Sequence, residues 1–340
     1  MKYIRTFIIF ITVSNLAYSQ NLKDSVKWIS IENAGELFIQ KQKPVLIYFY
    51  KNNCDSCRFM EQTTFSNPEV ANYINVLFYP VKIDVETKDS LKFFDGVYYK
   101  NSGKYGKIHD LAYKLGVIVD SFPALTVFSR RAEGRTFVGY KDRDEIFRIL
   151  IYYAEDIDLS TSFEDWYKYH KKGYPPGQKQ IITRLKIRWK TLDEALELNK
   201  KEPRKILLNF YNYNKISCSL MRTQTFNNKL IAEYINEKYY PVNIDVFSQD
   251  TLKIMGQTYV NENKPYKYHQ LPIAALGGKM VFPAFIILDE NEKVLVKVQE
   301  YMTPEKFEPL MKYYGGDFYK KENFNDFMKH FKSEMKESDN

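Results

Sequence analysis

The sequence predicts an α/β protein built from two tandem units, each a mixed central sheet flanked by helices. Three observations carry this. Apolar runs of strand length, such as Val45 to Tyr50 and Ala124 to Phe128, alternate with stretches of helical spacing. One tight turn near the end of the alternation, Arg130 to Gly134, adds an antiparallel strand to the sheet. Finally, the first half of the chain recurs in the second, and 340 residues exceed one ordinary core but fit two.

The elements of the first unit follow in order. Ile31 to Gln40 has helical spacing and is broken by Lys43-Pro44. Val45 to Tyr50 is a continuous apolar and aromatic run suited to the centre of a sheet. Lys51-Asn52-Asn53 is turn chemistry, Cys54 follows, and a helical pattern opens at Cys57, so the two cysteines sit at a strand-to-helix junction. Val70 to Ile74 reads as helix and Phe78 to Val85 as a second buried strand. Residues 86–106 form a polar, Tyr-rich insertion. A short helix is expected over Ile108 to Leu115, a strand over Ala124 to Phe128, another over Arg135 to Val138, and a closing helix over Asp144 to Tyr153.

The second unit is read from the repeat. Shifted by 161 positions, Phe49 to Lys92 aligns with Phe210 to Lys253 without a gap, and 22 of the 44 positions are identical. Ordinary composition gives about one match in twenty, so this is a duplication. The same offset pairs Trp28 with Trp189. After one deletion it becomes 160 and pairs His109 with His269, and Phe122-Pro123-Ala124 with Phe282-Pro283-Ala284. The units are expected over residues 23–178 and 183–336, punctuated by Gly173-Tyr174-Pro175-Pro176-Gly177. In the basic stretch around that linker, Ile181, Leu185 and Trp189 recur every four residues, as on the buried face of a helix whose charges are solvated.

Residues 1–19 read as a signal peptide: Lys2 and Arg5, the apolar run Phe7 to Val13, and Ala17-Tyr18-Ser19, with cleavage after Ser19. The run falls short of the roughly 20 residues that span a bilayer, so the mature chain is expected to lack a transmembrane segment and to be periplasmic or secreted. In such an oxidising compartment three cysteines are too few for a structural framework and read as working residues or their remnants. The net charge of +8 is spread among acids along the chain, and no nucleic-acid partner is inferred from it.

Cys54-x-x-Cys57 admits a redox couple, half of a zinc site or two idle core residues. Zinc normally takes four ligands, and three cysteines with four histidines and no second C-x-x-C do not supply them in pattern. No metal and no cofactor is expected. A helix N-terminus presents free N–H groups that favour a thiolate, which points to a nucleophile. His109 and His269 persist in both units although only one has the cysteine pair, which argues for a structural role. The Tyr-rich segments Tyr98 to Tyr105 and Tyr259 to Tyr268 fit a peptide groove or loop anchors equally.

An apolar strand, a C-x-x-C opening a helix, and Phe122-Pro123 before the next strand resemble the thioredoxin superfamily. Cys54-Asp55-Ser56-Cys57-Arg58-Phe59-Met60 followed by Thr64-Phe65-Ser66-Asn67-Pro68-Glu69-Val70 is similar to secreted bacterial thioredoxin-like proteins and to the C-terminal domain of the thiol:disulfide interchange transporter. The resemblance implies two tandem thioredoxin-like domains. It makes Cys54 the exposed attacking thiolate and Cys57 the buried resolving thiol. Phe122 and a cis Pro123 become the seat of a substrate strand. It also implies protein substrates with thiols or disulfides and a membrane or periplasmic thiol redox partner. Two positions depart from the family: Asn53 stands where Trp is usual, and Tyr48 where thioredoxins carry a buried acid, so proton transfer from Cys57 needs another group. In the second unit Lys215 replaces the attacking cysteine and Cys218 remains in the resolving position. That unit is expected to bind or space rather than exchange, with Cys218 inert. The alternative for the whole chain is a non-enzymatic protein-binding module with a structural Cys54–Cys57 disulfide; a metal-handling protein ranks last.

Overall fold

A computed structural model describes residues 25–118, 122–169, 186–263, 267–278 and 280–335. The signal peptide, the Gly173 to Gly177 linker and the outer domain limits lie outside these residues.

The first unit opens with α1 (Ile31–Gln40), whose N-terminus is capped by the Ser30 side chain accepting from the Asn33 N–H. Then come β1 (Val45–Tyr50), α2 (Asp55–Met60), a π-helical turn over Glu61–Phe65, α3 (Pro68–Leu77) and β2 (Tyr79–Asp84). The Tyr-rich insertion carries a small hairpin that the sequence reading lacks, β3 (Leu91–Lys92) with β4 (Tyr98–Tyr99). Strands this short have too few residues to show a periodicity. Next are α4 (Asp110–Lys114), β5 (Ala124–Phe128), β6 (Gly134–Val138), α5 (Arg143–Ala154) with a full capping box on Asp142 and Glu145, and α6 (Phe163–Tyr169).

The sheet runs β2-β1-β5-β6, with β1 parallel to β2 and antiparallel to β5, and β5 antiparallel to β6. It is therefore mixed, as expected. Val45 to Phe49 are fully buried, which explains why β1 reads as an unbroken apolar run instead of an alternating one.

The second unit repeats the plan with α7 (Leu192–Lys201), β7 (Lys205–Tyr211), α8 (Ile216–Leu220), α9 (Lys229–Lys238), β8 (Tyr239–Asp245), β9 (Leu252–Ile254), β10 (Gln257–Tyr259), α10 (Gln270–Ala275), β11 (Ala284–Leu288), β12 (Val294–Val298), α11 (Pro304–Gly315) and α12 (Phe324–His330). Its sheet order, β12-β11-β7-β8, is the same topology read from the other edge. Trp189 corrects one expectation: it lies in an extended lead-in whose Lys190 bridges Val242, as Ile29 bridges Val81 in the first unit. Both lead-ins run beside a sheet edge, where a spacing of four has no helical meaning. Ile181 and Leu185 lie outside the described residues.

The units share a seam. Trp166 of α6, 1% exposed, meets the Tyr301 ring edge-on at 6.0 Å, the Ser160 hydroxyl donates to the Tyr301 carbonyl, and Lys306 donates to the Ser160 carbonyl. Apolar side chains of both units form one continuous buried cluster across it. Burying a tryptophan contributes several kcal/mol, so the seam is part of the folded core.

Candidate functional site

Cys54 and Cys57 are joined in a disulfide. The turn that follows β1 makes Cys54 the N-cap of α2, and its Sγ accepts the Cys57 N–H at 3.1 Å. Ser56 adds a second polar neighbour, with its Oγ 3.4 Å from the Cys54 sulfur and 3.1 Å from the Phe122 carbonyl oxygen, to which it donates. The Phe122–Pro123 bond is cis, as is Phe282–Pro283. The fold thus brings Cys54, Cys57, Phe122 and Pro123 to one place from segments 66 residues apart. One expectation needs correction: with the disulfide formed, Cys54 is not an exposed sulfur but 6% exposed, against 1% for Cys57. The ordering of the two survives. Phe59, 53% exposed and five residues after Cys54, packs on Tyr140 at 5.2 Å.

Behind Cys57 lies a polar group the sequence reading missed. The Tyr48 hydroxyl is 3.2 Å from the Cys57 carbonyl and 3.4 Å from Glu61 Oε1, so its single proton is shared between two acceptors. Burial, then the charge of Glu61, pushes the Tyr48 phenol far above its ordinary range and keeps it a donor. Lys82, the partner of Tyr48 across the β1–β2 register, closes the group with an ion pair to Glu61 at 3.0 Å and sits 4.3 Å from the centre of the Tyr50 ring. The Glu61 N–H also reaches the Cys57 carbonyl. A carboxylate thus lies behind Cys57 on the residue four further along the helix, in contact with Tyr48 and Lys82. That spacing was the available signal, since residues four apart share a helix face.

In the second unit Lys215 is the N-cap of α8 and contributes no side-chain cap, while Cys218 is buried. Burial pushes the Cys218 thiol up to about 12, against a weaker opposing hydrogen bond from the Asn212 N–H. A thiol held there stays protonated and is a poor nucleophile. His109 and His269 do the structural work expected: each caps its helix by accepting from the N–H two residues on, and each places Nε2 against a loop carbonyl, Asp89 at 3.0 Å and Asp250 at 2.9 Å. The Tyr-rich segments are split in character, with Tyr98 exposed and Tyr105 stacked on Tyr113 at 3.6 Å.

The family described as Thioredoxin-like domain matches the chain twice, over residues 31–154 and 192–315, and the chain belongs to that family. No curated protein matches the chain. Similar solved structures include a "DsbH Oxidoreductase" at 20% identity, covering 43% of this chain and 95% of that one with a TM-score of 0.28. A thioredoxin-fold protein from Helicobacter pylori is 15% identical over 45% of this chain and 89% of that one, TM-score 0.31. A disulphide isomerase from Xylella fastidiosa is 18% identical over 42% and 86%, TM-score 0.23. Likenesses this distant and partial say nothing about activity. Among the described residues no helix is long and apolar enough to cross a membrane.

Proposed function

We propose that the chain is an exported thiol:disulfide oxidoreductase of reductase or isomerase type, acting on protein disulfides through the first unit. The observation that carries this reading is the Cys54–Cys57 disulfide at a helix N-terminus beside the cis Phe122–Pro123, with an N–H and a hydroxyl beside the Cys54 sulfur. Once the pair is reduced, those groups favour the Cys54 thiolate. It attacks one sulfur of a substrate disulfide, the other sulfur leaves as a thiolate, and a mixed disulfide forms. Cys57 then gives up its proton toward Glu61 and attacks Cys54 Sγ. The second substrate thiolate leaves, the Cys54–Cys57 disulfide re-forms, and two electrons have passed to the substrate. A membrane or periplasmic thiol partner would return them. Phe122 and Pro123 are the proposed seat of the substrate strand, and residues 23–178 and 183–336 the proposed domains, after a cleaved signal peptide of residues 1–19.

The test uses scrambled ribonuclease A and insulin as substrates. Cys54→Ala should abolish exchange, and Cys57→Ala should accumulate mixed disulfides. Failure of the purified protein to reduce or oxidise either substrate, with no adduct trapped, removes the proposal. The 6% exposure of Cys54 favours one second reading, a binding module whose disulfide only staples the first unit; in that case Cys54→Ala lowers the melting temperature and leaves partner binding intact.

A further inference from the structure

We propose that the face of the second unit around Phe282–Pro283, the counterpart of the first unit's substrate seat, is a permanent receptor for the first unit, with the Glu155 carboxylate as its ligand. This concerns the second unit and stands whether or not the first exchanges disulfides. Glu155 ends α5, yet its side chain is 5% exposed and reaches into the second unit. Its Oε2 accepts from the Ser217 hydroxyl at 3.0 Å, lies 3.5 Å from the Ser217 N–H, and faces Lys215 Nζ at 3.7 Å. Leaving a carboxylate so buried without partners would cost several kcal/mol, so the match is a constraint on how the units sit.

The two units supply an internal comparison. In the first, the Ser56 hydroxyl lies between the Cys54 sulfur at 3.4 Å and the Phe122 carbonyl at 3.1 Å. In the second, the Ser217 hydroxyl lies between Glu155 Oε2 at 3.0 Å and the Phe282 carbonyl at 3.2 Å. The carboxylate oxygen stands beside the serine where the sulfur stands in the other copy. The differences between the copies fit this assignment in both directions. Glu155 is the C-cap of α5, and the C-cap of the matching α11 is Gly316, where an added Cβ would come within 2.7 Å of the Phe318 ring, so the second unit carries no such ligand. Cys54 corresponds to Lys215, so the cation is present where the carboxylate arrives. Ligand and receptor are each found on one copy, and they are the copies that touch. The Ser160, Trp166, Tyr301 and Lys306 contacts then close the seam around the pair.

The test is a charge swap in the full chain, read by hydrogen exchange of the amides of α8 and by urea unfolding. Glu155→Lys and Lys215→Glu each set like charges against one another and should speed exchange at Ser217 to Leu220 about tenfold, equivalent to about 1.4 kcal/mol of local opening. The combined Glu155→Lys/Lys215→Glu chain should return to within about threefold of the original protein, because the attraction is restored with its sign reversed. Single reversals that leave α8 exchange unchanged, or a combined variant as open as either single, overturn the proposal. Should a reversal fail to fold, Glu155→Gln decides: it keeps a partner for Ser217 but loses the charge toward Lys215, and unchanged exchange at Ser217 in that variant also overturns it.

Discussion

Replacing Glu61 by glutamine should separate the two halves of the exchange cycle. The substitution keeps the shape of the side chain and an acceptor for Tyr48, but removes the carboxylate that Lys82 holds 3.0 Å away. General-base assistance is commonly worth about 10²- to 10⁴-fold. Here the Glu61 side chain is 38% exposed and its charge is shared with Lys82, so the lower end applies, about ten- to a hundredfold. The loss should fall on resolution by Cys57, with attack by Cys54 changed less than about threefold, because the polar neighbours of the Cys54 sulfur are the Cys57 N–H and the Ser56 hydroxyl and not this group. Without the carboxylate the proton must leave to solvent, so the resolving rate of Glu61→Gln should rise about tenfold per pH unit between about 6 and 8, while the original protein varies less. Stopped-flow mixing of the reduced protein with a peptide bearing a 2-nitro-5-thiobenzoate mixed disulfide follows attack by colour, and acid quench with mass analysis follows resolution. Tyr48→Phe is the control: it takes the hydroxyl from the Cys57 carbonyl at a cost of about 1 kcal/mol in stability and leaves the carboxylate, so it should slow resolution less than Glu61→Gln. Equal resolving rates and equal pH slopes for Glu61→Gln and the original protein would refute the assignment of Glu61 as the base.

Cys218, pushed up to about 12, should resist iodoacetamide at pH 8 in the folded chain by more than about a hundredfold relative to the urea-unfolded chain. Because its folded value lies above the unfolded one, its contribution to stability is full below about pH 8.5 and is lost as pH rises toward 12, so Cys218→Ala should flatten the alkaline fall in urea stability. His109→Ala leaves the Leu111 N–H and the Asp89 carbonyl without their partner and should cost about 1–3 kcal/mol in urea unfolding, with His269→Ala costing the same at Leu271 and Asp250. Asp158 is raised to about 6, by burial first and the charge of Asp156 second. The native state therefore holds an extra proton between about pH 4 and 6, and stability from this group is lost as pH rises through that window. Asp158→Asn should accordingly stabilise the chain at pH 8, by about 1 kcal/mol after allowing for solvent screening, and not at pH 3.5.

Much of this was legible in the chain because the scaffold is written in periodicity and copied. The buried run of β1, the strand-to-helix position of Cys54 and the placement of Pro123 are local patterns, and each is matched at Lys205–Tyr211, Lys215 and Pro283. Glu61 offered only its spacing of four from Cys57, and Glu155 no local pattern at all. The first matters through a strand partner across the sheet, the second through a unit whose Ser217 lies 62 residues further on. Nevertheless, comparing the copies position by position separates scaffold from chemistry in a way neither copy does alone. Ser56, Cys57, Thr64, His109 and Phe122-Pro123 all persist, as Ser217, Cys218, Thr225, His269 and Phe282-Pro283. Cys54, Tyr48, Glu61 and Lys82 are replaced together, by Lys215, Asn209, Arg222 and Asn243. In the second unit Asn209 and Asn243 instead bond each other at 2.7 Å across β7 and β8, a neutral pair with no carboxylate to receive a proton. Had Tyr48, Glu61 and Lys82 served only to hold the fold, the second unit, with the same strand order, would have had equal use for them. Their loss in company with the attacking sulfur fits the proposed part of the three in exchange by Cys54 and Cys57, and leaves the second unit with the Phe282–Pro283 face whose Ser217 holds Glu155.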